Sequence, residues 1–136
     1  MNRLRKPERL NKKKIIEKMF AGGSRSFSIF PLRVVWLPVE ELDVQASILI
    51  SVSKRRFKRA VKRNRVKRQI REAYRMNKPI LLDSDALNKK EYRLAIAFIY
   101  LADELMDSTL VEEKMKTALA RIVEEISVEQ MAPSAE

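Results

Sequence analysis

From Lys54 to Arg71, eleven of eighteen residues are Lys or Arg and none is acidic. Like charges four residues apart on a helix repel, so such an array is destabilising in the isolated chain and is relieved when a polyanion neutralises it. Arginine outnumbers lysine seven to four in this run. A guanidinium forks onto phosphate through two bonds and stacks on bases, which an ammonium cannot do. On a helix turning about 100° per residue, Val66, Ile70, Ala73 and Tyr74 share one side. Asn64, Arg68, Arg71 and Arg75 fall within an arc of about 60° directly opposite. Arg65 and Lys67 flank that arc, while Lys62 and Arg63 lie near the sheet side at the N-terminal end. Asn64 adds a group that both donates and accepts hydrogen bonds. A merely solvated helix face mixes charges of both signs; here only Glu72 interrupts the cations. The chemistry is polyanion binding.

The rest of the chain agrees. Its net charge is +11, yet residues 1–75 hold 22 basic and 6 acidic side chains whereas residues 76–136 hold 7 and 12. Segregated charge makes a directed field, the footprint of a nucleic-acid binder, with an anionic membrane surface well behind. Proton-transfer catalysis most often uses histidine, and the chain has none. Metal-assisted cleavage needs clustered carboxylates, but the acids lie mainly in residues 83–136, and Asp83-Ser84-Asp85 reads as turn and capping chemistry. An autonomous nuclease is therefore not expected, nor any metal held by the protein alone. Cysteine is absent, which excludes disulfides and thiolate metal sites and fits the cytoplasm. No signal peptide is visible and no stretch approaches the ~20 apolar residues of a membrane span. A soluble protein is expected, with no obligate protein partner evident.

The elements that must position this charge can be read from periodicity. Residues 1–8 are expected to be a flexible basic arm, 9–127 a single α/β domain and 128–136 a disordered tail. A short helix carries Ile15, Ile16, Met19 and Phe20 and stops at Gly22-Gly23. The segment from Phe27 to Val39 reads as one strand, with Pro31 at an edge or at its beginning. Val44, Ala46, Ile48, Ile50 and Val52 alternate with more polar residues, which is a second strand. The basic helix follows and ends near Met76–Lys78. One or two helical turns come next, then an apolar central strand from Tyr92 to Leu101. The last helix carries Val111, Met115, Leu119, Ile122 and Ile126 as a stripe, with Thr109 and Glu112 as a capping box. The order is α-β-β-α-(α)-β-α, a small two-layer α/β sandwich of the α+β class. Phe57 reads as the anchor of the basic helix to the sheet, Tyr74 as half-buried, and Trp36 stays open between core and base stacking.

The stretch "AVKRNRVKRQIREAYR", with "SVSK" just upstream, resembles the signature of the bacterial ribonuclease P protein subunit. "RLNKKKIIEKMFAGG" resembles that family's first helix and its glycine-ended turn. The resemblance covers about residues 9–126. It implies an accessory subunit of a ribonucleoprotein that removes the 5′ leader of precursor tRNA, with the RNA subunit as catalyst and Mg²⁺ entering through that RNA. It also implies a left-handed crossover through the basic helix, where elementary chirality alone favours a right-handed one in ≈ 98% of cases. By the same resemblance Arg63, Asn64, Arg65, Lys67, Arg68 and Arg71 bind the catalytic RNA, with Lys62 and Arg75 beside them. Phe20, strand residues after Pro31 counted here with Trp36, and Ser51, Ser53, Lys54 and Arg55 line a cleft for the single-stranded leader. Ile16 stands where the family commonly has a first-helix aromatic. The competing readings are a free-standing RNA-binding protein, associated with ribosomes or RNA folding, and a DNA-binding regulator. The second of these wants a recognition helix free of a sheet.

Overall fold

The computed structural model describes residues 13–40, 42, 44–88 and 93–131. Helix α1 spans Lys13–Phe20, and its apolar pair Ile15 and Met19, one turn apart, is buried. It ends because Gly22 and Gly23 take φ of 109° and 88°, a region that side-chain-bearing residues avoid. Ser24 Oγ donates to the Met19 carbonyl at 2.6 Å, satisfying one of the acceptors that a helix end leaves open.

Four strands form one sheet in the order β1-β2-β4-β3: β1 Arg25–Ile29, β2 Leu32–Pro38, β3 Ala46–Ser51 and β4 Leu94–Tyr100. The segment expected to be one strand is thus a hairpin. Pro31 has no N–H to give a ladder, and with Phe30 it forms the turn, so that Ile29 faces Leu32 across the antiparallel pair. The Phe30–Pro31 peptide is cis. Strand β4 lies between β2 and β3, and its side chains from Leu94 to Phe98 are all buried, as its unbroken apolar run requires. Strands β3 and β4 are parallel neighbours. The chain passes between them through α2 (Ala60–Asn77) and two single turns, α3 (Pro79–Leu82) and α4 (Asp85–Asn88).

The two faces of the sheet are covered unequally. On one, α2 and α5 (Ser108–Met131) build the main core. Val66, Ile70 and Tyr74 from α2, and Val111, Met115, Leu119, Ile122 and Ile126 from α5, are all fully buried against Val34, Trp36, Ile48, Ile96 and Phe98. The expected stripe on the last helix is the stripe that packs. On the other face, α1 covers a smaller cluster through Ile15 and Met19, which meet Val35, Val39, Leu42, Ala95 and Ala97. The expected capping box is not formed. Asp107 precedes the helix: its carbonyl accepts from Val111 N at 3.0 Å and its carboxylate from Thr109 N at 3.4 Å. Glu112 instead accepts from Asn77 Nδ2 at 3.4 Å. Helix α5 runs on to Met131, past the expected boundary at 127. The basic arm 1–8 and residues 132–136 lie outside the described residues.

Candidate nucleic-acid interface

The basic run is divided between a turn and a helix. In the turn, Phe57 N donates to the Ser53 carbonyl at 3.1 Å and Arg55 N to Ser53 Oγ at 3.0 Å. Phe57 is buried with its ring 6.0 Å from that of Tyr100, so it anchors the helix start to the sheet as its position in the sequence suggests. Helix α2 then turns its apolar side inward. Lys62, Asn64, Arg65 and Arg68 are exposed, and Lys67, Arg71 and Arg75 are half-buried. Tyr74 is fully buried rather than half-buried, its ring 6.0 Å from Phe98.

Several of the cations have internal partners that the sequence does not reveal. Arg63 Nη1 donates to the carbonyls of Phe57 at 2.7 Å and Lys58 at 3.0 Å. It therefore stitches the turn to the first turn of α2, and one edge of its guanidinium is committed within the protein. Arg75 pairs with Glu72 one turn earlier. That hydrogen bond lowers the Glu72 carboxyl below its ordinary value and raises Arg75. Arg56 reaches across to Asp103 at 2.7 Å; both are exposed enough that the pair contributes little to stability.

A second polar surface lies on the face that α1 covers only in part. Strand register aligns Ser28, Arg33, Ile99 and Ser51 in one row across all four strands. The adjacent row is Ser26, Val35, Ala97 and Leu49. Helix α1 packs on Val35 and Ala97 of that second row, leaving Ser26, Ser28, Arg33 and Ser51 exposed. The same helix carries Phe20 to this side of the sheet with 53% of its surface exposed. Beyond Ser51 the chain continues through exposed Ser53, Lys54 and Arg55. Hydroxyls, cations and one open aromatic ring are therefore exposed on or beside this face of the sheet.

Trp36 does not belong to it. The register that puts Arg33 and Val35 on the α1 side puts Trp36 on the other, where it has no exposed surface. Its Nε1 donates to Glu125 Oε1 of α5 at 2.8 Å, and a base has no access to the ring. Val34 and Val35 are also buried, so Arg33 is the strand β2 residue that reaches the surface here. Sequence reasoning missed Ser26, Ser28, Arg33 and Phe30, the last 56% exposed in the hairpin turn. The Ser-Phe-Ser alternation at 26–28 was the available signal, but it speaks only once the hairpin is recognised. Among the described residues, no helix is long and apolar enough to cross a membrane.

Comparison with known proteins gives a consistent result. Residues 4–123 match the family model described as Ribonuclease P. The ribonuclease P protein component of Porphyromonas gingivalis is 47% identical over 120 residues, covering 88% of this chain and 85% of that protein. The protein component from Chlorobaculum tepidum is 35% identical over 106 residues, covering 74% and 69%. The structure of the ribonuclease P protein from Thermotoga maritima superposes with a TM-score of 0.66 at 24% identity, over 84% of this chain and 96% of that one. An unusual basic helix, a four-stranded mixed sheet and a sequence match over most of the length converge: the chain belongs to the ribonuclease P protein family.

Proposed function

We propose that this protein is the accessory subunit of a bacterial ribonuclease P, holding the catalytic RNA against α2 and the 5′ leader of precursor tRNA along the exposed row of the sheet beside α1. The observation that carries this reading is the turn from Ser53 to Phe57. It joins the end of the Ser28–Arg33–Ile99–Ser51 row directly to the start of the cationic helix. A single RNA-bound particle can therefore engage both surfaces at once. Asn64, Arg65, Lys67, Arg68 and Arg71 face the catalytic RNA, with Lys62 and Arg75 at the ends of the patch. Arg63 acts mainly by fixing the turn. Phe20, Ser51, Ser53, Lys54 and Arg55, joined by Ser28 and Arg33, receive the leader, with stacking on Phe20 and phosphate contacts from the cations. Single strands are bound in this way by other proteins, on aromatic platforms within positive grooves. The chemistry of cleavage resides in the RNA, whose phosphates hold Mg²⁺. The protein contributes position and neutralised charge.

Reconstitution tests this. A bacterial ribonuclease P RNA is incubated with a 5′-leader precursor tRNA at low Mg²⁺, with and without the protein. Cleavage at the mature 5′ end that requires both components supports the accessory role. Equal binding to unrelated folded RNAs with no rescue of cleavage would make it a free-standing RNA-binding protein instead.

A further inference from the structure

One cation of the basic run has no part in either surface described above. In the turn before α2, Arg56 Nη1 donates to Asp103 Oδ1 at 2.7 Å, tying the turn to the loop that follows β4. Two hollows meet at this pair. One, of about 770 Å³, is lined by Ser53, Arg55, Arg56 and Asp103. The other, of about 270 Å³, has the cations Arg56, Lys58, Arg59 and Lys62 on its walls, together with Asp103 and Glu104. Arg56 and Asp103 are the residues common to both.

Neither partner needs the contact for its shape. The turn is closed by Phe57 N on the Ser53 carbonyl and by Arg63 Nη1 on the carbonyls of Phe57 and Lys58. The loop is closed separately, since Tyr100 OH donates to the Glu104 carbonyl at 2.9 Å and accepts from Met106 N at 3.0 Å. The paired side chains are 38% and 78% exposed, so the pair is weak and rotation of the aspartate into solvent breaks it at little cost. A carboxylate and a phosphate engage a guanidinium through the same fork of N–H donors. Asp103 therefore stands on Arg56 where a phosphate would. The surrounding cations attract an RNA strand to these hollows, and the carboxylate repels it as long as it stays.

We propose that Arg56 is a binding site for one RNA backbone phosphate, which Asp103 occupies in the free protein and yields when RNA binds. The proposal rests on the RNA-binding reading above and deepens it. With the aspartate turned away, the two hollows share one cationic lining from Arg55 to Lys62. That lining carries the exposed row of the sheet, through the turn after Ser51, into the patch on α2.

The test measures, over a salt series, the affinity of the full chain for ribonuclease P RNA and of the reconstituted complex for precursor tRNA with and without a leader. Arg56→Ala should weaken one of these interactions and lower its salt slope by about 0.7–0.9, the share of one phosphate. The interaction that responds identifies which RNA supplies the phosphate. Asp103→Ala should strengthen that same interaction about 1.5- to 5-fold, the worth of an exposed ion pair. Asp103→Asn, which keeps the size of the side chain, should act in the same direction. In an Arg56→Ala background the gain should shrink to that of Glu104→Ala, which removes an equal charge from the same loop without touching Arg56. Ethylation of the RNA should reveal one phosphate whose modification weakens the parent protein and not Arg56→Ala. A gain from Asp103→Ala that is the same with and without Arg56 would make the aspartate a distant charge only, and overturns the proposal. An unchanged salt slope for Arg56→Ala in every arm overturns it too, while leaving the RNA-binding reading intact. A parent protein that binds none of these RNAs overturns that reading, and the proposal with it.

Discussion

Arg63 and Arg68 stand about one and a half turns apart on the same cationic helix, yet the proposed reading gives them different work, and alanine at each should separate it. Arg68 is exposed, and on the proposed reading its role lies in the complex. Each phosphate contact adds about 0.7–0.9 to the slope of log K against log salt, so at ~0.1 M salt its loss weakens binding roughly 5- to 8-fold. Arg68→Ala should also leave stability within about 0.5 kcal/mol of the parent, as surface substitutions usually do. Arg63 makes two hydrogen bonds, at 2.7 and 3.0 Å, to the carbonyls of Phe57 and Lys58. Charged hydrogen bonds contribute about 1.5–3 kcal/mol each when water is excluded. This guanidinium is half-exposed, so about 1 kcal/mol for the pair is the better figure after screening. That corresponds to a Tm lower by roughly 3–6 °C. Filter binding over a salt series and thermal denaturation of the free protein measure the two quantities. The expected pattern is a shallower salt slope with unchanged Tm for Arg68→Ala. For Arg63→Ala it is a lower Tm with a smaller change in slope. An unchanged slope for Arg68→Ala would show that the wrong face of α2 has been assigned to RNA. An unchanged Tm for Arg63→Ala would refute the stitching role.

Four further outcomes follow from particular contacts. Trp36→Phe removes the bond to Glu125 and should lower unfolding free energy by about 1–2 kcal/mol, measured by urea denaturation, while leader-dependent substrate affinity stays unchanged. Phe20→Ala should do the reverse: no change in Tm, but a loss of about 1–3 kcal/mol in affinity that disappears when the substrate has no leader. Val66 is fully buried on the core side of α2, so Val66→Asp, which buries a lone charge, should abolish the cooperative unfolding transition seen by circular dichroism. Burial holds the Tyr100 phenol above its ordinary value of 10.0, opposed by the bond from Met106 N. The folded state thus favours the neutral phenol, and this stabilisation is complete below the unfolded value and lost as pH rises through it toward the folded one. The stability of the parent should therefore fall faster than that of Tyr100→Phe above about pH 10, in paired denaturation curves.

Most of the architecture was legible because burial imposes period. The stripe on α5, the alternation on β3 and the two-sided apolar run of β4 each leave one arrangement that hides their side chains from water. The basic helix was legible for the opposite reason: its cations could not be hidden, so its few apolar residues fixed its orientation. Two things were not legible. Around Pro31 an apolar strand and an apolar hairpin have nearly the same composition, and reading one strand forfeits the register that aligns Ser28, Arg33 and Ser51 in one row. Consequently Trp36 was counted with the surface and Arg33 was overlooked, although the two point to opposite faces three residues apart. Nor does sequence separate an arginine that reaches outward from one that bends back to a carbonyl. Arg63 and Arg65 are identical in type and differ only in whether a turn happens to lie within reach.

The unequal cover of the sheet gives the fold its use. Helices α2 and α5 need one entire face to bury their stripes, and that leaves the cationic side of α2 outward by geometry, since a helix whose apolar side is fixed has its opposite side fixed too. Among the described residues, the other face receives the eight residues of α1, which pack on the second row and leave the hydroxyls and Arg33 of the first exposed. Two polar surfaces are thus left open among the described residues, one on α2 and one on the sheet. They are also rigidly related, because β3 carries Ser51 in one and leads within a few residues, past buried Phe57, into the other. On the proposed reading, an RNA on α2 and a single strand on the open row would therefore be held at a fixed spacing by the sheet itself. A protein without histidine can assist a cleavage in that way: by fixing the substrate relative to groups that it does not supply.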